Sequence, residues 1–184
     1  MQVTKVRDLR VLDFDIENRP LSYLGGDFTT AEITAIAASF GTGDMHCWLL
    51  GRDDPVDILE GFRALYNEAD IVTGHYIRRH DLPIINGAML EYGLAPLTAK
   101  LCSDTKMDML TMHDISRSQE SIAGMLGIEA PKVHMTQPMW RAANRLEHIE
   151  YAEKRVTADV RQHQAMRKKL IELRMLRAPR MWIP

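Results

Sequence analysis

The stretch Val11-Leu12-Asp13-Phe14-Asp15-Ile16-Glu17 alternates apolar and acidic residues. In an extended strand this period of two sends Leu12, Phe14 and Ile16 to one face and the carboxylates to the other. One face must therefore be covered by an apolar layer. The other presents Asp15 and Glu17 as neighbours roughly 7 Å apart at Cα. Two carboxylates at that spacing repel unless a cation or a proton lies between them. A solvated face on an edge strand is the competing explanation for the pair taken alone.

The rest of the chain tells which layers accompany that strand. Asn18 to Thr30 reads as a polar, glycine-containing loop. Ile33 to Phe40 and Met45 to Leu50 read as two strands joined by Gly41-Thr42-Gly43-Asp44, a turn-rich link that favours a hairpin. Pro55 to Ala69 has apolar residues at mostly helical spacing, and Ile71-Val72-Thr73-Gly74 looks like a short buried strand. Asp81-Leu82-Pro83 has the composition of a helix start, with Asp81 as N-cap and proline in the first turn. That helix should run to about Tyr92 and stop at Gly93. Leu97 to Ser103 suggests a fifth strand. The remainder to about Leu176 reads as helices broken by a loop at Gly127 to Pro138.

The final helix, from about Glu147 to Leu176, places Ile149, Ala152, Val156, Val160 and His163 on one stripe, with Asp159 at its edge. Strands, then alternating helix and strand, then helices: this order predicts an α/β fold in which a mixed five-stranded sheet, an antiparallel meander followed by parallel strands, is flanked by helices. No linker or repeat divides the sequence, so residues 1–184 are expected to form a single domain with a basic C-terminal helix and short tail.

Charge is distributed unevenly. The formal net charge is −2, but residues 1–100 hold 9 Lys and Arg against 15 Asp and Glu, whereas residues 101–184 hold 14 against 10. The basic excess lies on the last helix and its tail: Lys154, Arg155, Arg161, Arg167, Lys168, Lys169, Arg174, Arg177 and Arg180. An acidic front half beside a basic helix suits cations held by the one and phosphates by the other. A solvated helix face also explains the basic residues. No apolar stretch approaches the roughly 18 residues of a membrane span, and nothing at the N-terminus resembles a signal peptide, so a soluble, cytoplasmic protein is expected. Cys47 and Cys102 have no partnered spacing and read as free thiols.

Three segments carry a resemblance to a known family. Phe14-Asp15-Ile16-Glu17 resembles the first motif of the DnaQ-like, DEDD-type 3′-5′ exonucleases. Gly74-His75-Tyr76-Ile77-Arg78-Arg79-His80-Asp81-Leu82-Pro83 resembles the second, and Val156-Thr157-Ala158-Asp159-Val160 the third. The order and spacing of the three, over roughly residues 10 to 175, make the likeness specific. Asn18-Arg19-Pro20-Leu21, Ser118 to Ser121 before Gly124 to Gly127, and Pro131 to Met135 are weaker cues toward polymerase-associated and stand-alone phage-type versions.

The resemblance implies a ribonuclease H-like fold and two Mg²⁺ or Mn²⁺ ions. It implies Asp15 bridging them, Glu17 and Asp159 completing the metal that activates water, and Asp81 helping to hold the second. It also implies a single-stranded DNA or RNA 3′ end as partner, and a DNA polymerase or replication protein as possible companion.

The sequence departs from the family at several points. Where the family supplies a Tyr four residues, or a His five residues, before the last aspartate, this chain has Arg155 and Lys154. The proton acceptor is therefore open among His134, Tyr151 and His163. His134 is favoured because a loop reaches where a helix face does not. Arg155 is a candidate ligand for the scissile phosphate. Tyr76 stands where the family has Asn and is a candidate for stacking on a base, beside His75 of the same motif. Asp13, on the carboxylate face, is expected either to hydrogen-bond backbone at the sheet edge or to supply extra negative charge and is not placed in the site, and Asp104, Asp108 and Asp114 read as helix caps and solvated positions. The alternatives to a DNA exonuclease are an RNA-trimming relative and a catalytically silent nucleic-acid-binding module of the same fold.

Overall fold

A computed structural model describes residues 8–20, 31–111, 113–129 and 133–184. The elements in chain order are β1 (Val11–Pro20), β2 (Ala31–Phe40), β3 (His46–Leu49), α1 (Pro55–Glu68), β4 (Ile71–Gly74), α2 (Asp81–Glu91), β5 (Lys100–Asp104), α3 (Gln119–Met125), α4 (Gln137–Asn144), α5 (Ile149–Glu172) and β6 (Arg180–Trp182). They build one mixed sheet in the order β3-β2-β1-β4-β5-β6. The first three strands pair antiparallel, β1, β4 and β5 run parallel, and β6 returns antiparallel along β5.

The alternation in β1 separates two layers as its period requires. Leu12, Phe14 and Ile16 join Ile58, Leu59, Phe62 and Tyr66 of α1 and Leu82, Ile85 and Met89 of α2 in the main apolar core. The opposite face receives α5, whose Ala152, Val156 and Val160 pack on Ala35, Ala37 and Leu49. Cross-strand register sets Asp15 opposite Ala37 and Glu17 opposite Ala35. Small residues beside the carboxylates let the helix come close, so charges on α5 face charges on β1. The stripe expected on the last helix is thus the stripe it buries, and Asp159 lies within it at 9% exposure.

Among the described residues the sheet has six strands where five were expected. Arg180–Trp182 is too short for a periodic signal, and its place comes from Trp182 entering the main core at the edge of β5. β1 continues through Asn18, Arg19 and Pro20, past a pairing irregularity after Glu17, so these three residues are strand and not part of the expected loop. Its residues 21–30, with Leu21 of the weak cue there, lie outside the described residues, as do 130–132 of the Gly127–Pro138 loop and of the Pro131–Met135 cue. Asp81 is the first helical residue of α2 and not its N-cap. His80 holds the cap position, and the turn before it has already directed the Leu82 amide to the Ile77 carbonyl at 2.9 Å. The Asp81 carboxylate is thereby released from capping. Both cysteines are free, as expected.

Gly74 ends β4 where the chain turns toward Asp81. A Cβ there would meet Phe14 O at 2.7 Å and press into Ile77 Cγ2. Gly74→Ala is expected to cost about 1–3 kcal/mol, the usual range for overpacking. Urea unfolding checks this, and wild-type stability would mean that the β4–α2 turn yields easily.

Candidate metal centre

Three elements bring carboxylates to one place. β1 carries Asp15 and Glu17 on the face that α5 covers, and Asp159 comes down from α5. One oxygen from each of the three lies within 4.8 Å of the others. Asp81, at the start of α2, stands outside this tight group, but its charge acts on both Asp15 and Glu17. It is 3% exposed, and its Oδ1 is buried without a hydrogen-bond partner among the described residues. The other oxygen, Oδ2, is 3.3 Å from His80 Nδ1.

The electrostatics record the crowding. Burial, followed by the charges of Asp81, Glu17 and Asp159, raises the Asp15 carboxyl well above the usual carboxylate range. Burial also raises Glu17 to about 7. Arg155 opposes that rise, and Asp159 and Asp81 add to it. Asp81 is raised chiefly by burial, with His80 pulling the other way, and His80 is raised in turn by its hydrogen bond to Asp81. The cation already present is Arg155. Its Nε is 2.8 Å from Asp159 Oδ2 and 3.5 Å from Glu17 Oε1, and its Nη1 donates to the Val133 carbonyl at 3.1 Å.

The other expected residues lie as follows. His134 is exposed on the loop whose neighbouring Val133 touches Arg155. Tyr151 packs its ring against His148, 5.3 Å between centroids, near the start of α5. His163 is buried one turn beyond Asp159, with Nδ1 3.1 Å from Asp13 Oδ1. Both ring nitrogens of His75 are engaged inside the protein, one 3.0 Å from Thr105 Oγ1 and the other 2.9 Å from the Arg117 carbonyl. Burial lowers its pKa to about 4, so the neutral ring donates from Nε2 to that carbonyl. Tyr76 has φ of 73°, an unusual conformation for a bulky residue, and Lys106 Nζ sits 4.0 Å from its ring centroid.

Three aspartates behave differently from expectation. Asp13 is fully buried and holds α5 to β1: Arg167 donates to its two oxygens from Nε at 3.0 Å and Nη2 at 3.1 Å, beside the His163 contact. Asp104 and Asp108, expected to be caps or solvated, are fully buried too. Asp104 accepts the backbone N–H groups of Tyr76, Lys106 and Met107 on Oδ1 and of Arg78 on Oδ2, at 3.0–3.1 Å. Asp108 Oδ2 accepts the Asp104 amide at 2.9 Å, and its Oδ1 receives Arg78 Nη2 at 2.5 Å. This clamp shapes the 75–80 turn that delivers Asp81. The local signal for it was an aspartate closing a strand and followed by Thr, a residue type that organises nearby amides. The donors from 26 and 28 residues upstream left no mark in the sequence.

Fold and site together define a mixed α/β protein, consistent with a ribonuclease H-like fold, carrying an acidic group that can hold metal ions. Hard divalent cations take several oxygen ligands, and three converging carboxylates with the unpartnered oxygen of a fourth nearby fit that requirement. No family model matches the sequence, and no curated protein matches it significantly. Among solved structures, the fold is similar to a family B DNA polymerase from the hyperthermophilic archaeon Pyrobaculum calidifontis, with TM-score 0.65 and 19% identity over 90% of this chain. The match covers 25% of the polymerase, so this chain spans about a quarter of that protein's length. No helix among the described residues is long and apolar enough to cross a membrane.

Proposed function

We propose that residues 1–184 act as one metal-dependent 3′-5′ exonuclease unit, hydrolysing phosphodiester bonds at the 3′ end of single-stranded nucleic acid, with DNA as the preferred strand. The observation that carries this reading is the convergence of Asp15, Glu17 and Asp159 from separate elements, with the buried Asp81 Oδ1 left unpartnered beside them. Asp15, Glu17 and Asp159 would hold Mg²⁺ or Mn²⁺, with Asp81 assisting at a second ion. When bound, a pair of such ions supplies an activated water and a counter-charge for the leaving 3′ oxygen. The chain's own residues do the rest. Asp13, through Arg167 and His163, fixes α5 against β1 and so sets the Asp159 to Glu17 approach. Tyr76, a half-buried ring with Lys106 over one face, is the proposed stacking partner of a terminal base. His134 is the proposed proton acceptor on the exposed loop beside Arg155. The 3′ polarity rests on the three-motif resemblance.

A groove of about 410 Å³ at the start of β1 and β4, lined in part by Ser103, Arg167, Arg174 and Arg177, supports phosphate contacts beyond the cluster. Arg174 and Arg177 have no carboxylate partner among the described residues, so their charge is free to meet a strand's backbone. The polymerase likeness supports association with a replication enzyme. A silent binding module is the second reading, favoured by Arg155 standing where the family supplies a proton acceptor.

The deciding experiment is digestion of 5′-labelled single-stranded DNA and RNA with Mn²⁺, with Mg²⁺ and with chelator. A ladder shortened from the 3′ end only when metal is present is the expected result. Products that persist in chelator would sink the metal mechanism, and intact strands with metal would leave the binding module. A faster ladder on RNA would reassign the substrate.

A further inference from the structure

The Arg155 guanidinium lies against two of the three carboxylates that would bind a divalent ion, 2.8 Å from Asp159 and 3.5 Å from Glu17. Arg155 and Asp159 are one turn apart on α5, so the pair forms on the helix itself. The Arg155 side chain is 21% exposed and that of Glu17 is 15%, which shields the attraction from much of the screening a surface pair suffers. The contact is nonetheless poorly directed. Arg155 Nε is buried and satisfies no hydrogen-bond geometry with any described residue, so it touches Asp159 by charge and not by an aligned N–H. Nη1 is anchored by a bond to the Val133 carbonyl.

A cation resting on oxygens that a divalent ion also needs is placed to exchange with it. We propose that Arg155 is an exchangeable internal counter-ion: it neutralises the carboxylate group while no divalent ion is bound, and leaves Glu17 and Asp159 when one enters. This inference rests on the metal-centre reading above. Two consequences follow from the chemistry. The free protein binds divalent ions more weakly than its carboxylates alone would, because an internal cation must first be displaced. Once displaced, the guanidinium presents a planar set of donors suited to the non-bridging oxygens of a phosphodiester, so metal uptake is favoured when a strand is present to receive it.

The test is calorimetric titration of the full chain with Mn²⁺, comparing wild type with Arg155→Gln and Arg155→Lys, together with melting curves in chelator at pH 8. Arg155→Gln is expected to bind Mn²⁺ at least tenfold more tightly, to melt below wild type in chelator, and to regain wild-type stability with Mn²⁺. Arg155→Lys, which keeps the charge on a different stem, should fall between, and it carries the test if the Gln variant does not fold. Unchanged or weaker Mn²⁺ binding by the variants, with binding by wild type measurable, overturns the exchange while leaving the metal centre standing. Absence of Mn²⁺ binding by every form removes the metal centre, and the exchange with it.

Discussion

Asp15→Asn should lower metal-dependent strand hydrolysis by on the order of 10²–10³-fold while raising the melting temperature of the metal-free protein at pH 8. Both effects come from one arrangement. Asp15 sits among Asp81, Glu17 and Asp159 with Arg155 in opposition, and burial strengthens every one of those charges. In the proposed metal-bound state the carboxylate would be a ligand, and its loss would have the cost of removing a preorganised charge from a reacting site. Without metal it is a repelled, buried anion, and the neutral amide relieves the repulsion.

The same crowding gives the metal-free protein a characteristic pH dependence. Glu17 titrates near 7 in the fold against an ordinary value of 4.5. A carboxyl with a raised folded pKa costs nothing below about 4.5, and its penalty grows until it is complete above about 7. That shift corresponds to on the order of 3 kcal/mol, or roughly 6–12 °C of melting temperature for a chain of this size. Asp13 runs the other way. His163 and Arg167 outweigh its burial and lower its pKa, so its contribution is present above the ordinary carboxylate range and fades in acid. The melting temperature in chelator should therefore peak near pH 5 and fall toward pH 8, and Mn²⁺ should reverse the fall. A flat profile in chelator, or hydrolysis that survives Asp15→Asn, would refute the crowded-carboxylate account.

Asp104→Ala is expected to be the most destabilising single change, at about 4 kcal/mol or more. Its carboxylate serves four backbone N–H groups, and truncation leaves those donors unpaired, while Arg78 keeps its closer partner Asp108. Hydrogen bonds to a charged group are worth about 1.5–3 kcal/mol each. The effects are not additive, because the 75–80 turn can relax. Relaxation itself has a functional readout: the turn delivers Asp81, so Mn²⁺ binding should weaken along with stability. Asp104→Asn should lie between, since its amide oxygen can still accept while its nitrogen opposes one N–H. Urea unfolding of both variants checks this, and an Ala variant within 1 kcal/mol of wild type would mean that the turn does not depend on the clamp.

Asp15 and Glu17 were legible because alternation in β1 is a local property: a period of two fixes which side chains share a face wherever the strand is placed. Asp159 was legible for the same reason, at the edge of the apolar stripe that α5 buries. Asp104 and Asp108 were misread because Tyr76 and Arg78, which complete their set of local amide donors, arrive from the turn after β4, and a buried clamp and an exposed cap have the same local composition. Arg155 was recognised as a departure from a motif, but its contact with Glu17 joins residues on two elements. Asp13 was set aside as a sheet-edge residue, whereas it is tied to His163 across 150 positions.

The amino-acid sequence alone determined the layers of this protein, the face that carries its carboxylates and the order of its strands and helices, since each depends on periods of two or 3.6 residues and on turn chemistry within a few positions. Tertiary structure decided the sixth strand, the burial of Asp13, Asp104 and Asp108, the release of Asp81 from capping and the placement of a guanidinium among the acidic side chains. Those outcomes depend on which charges and amides are brought together once water is excluded, and Coulombic and hydrogen-bond partners distant along the chain leave no periodic trace in it.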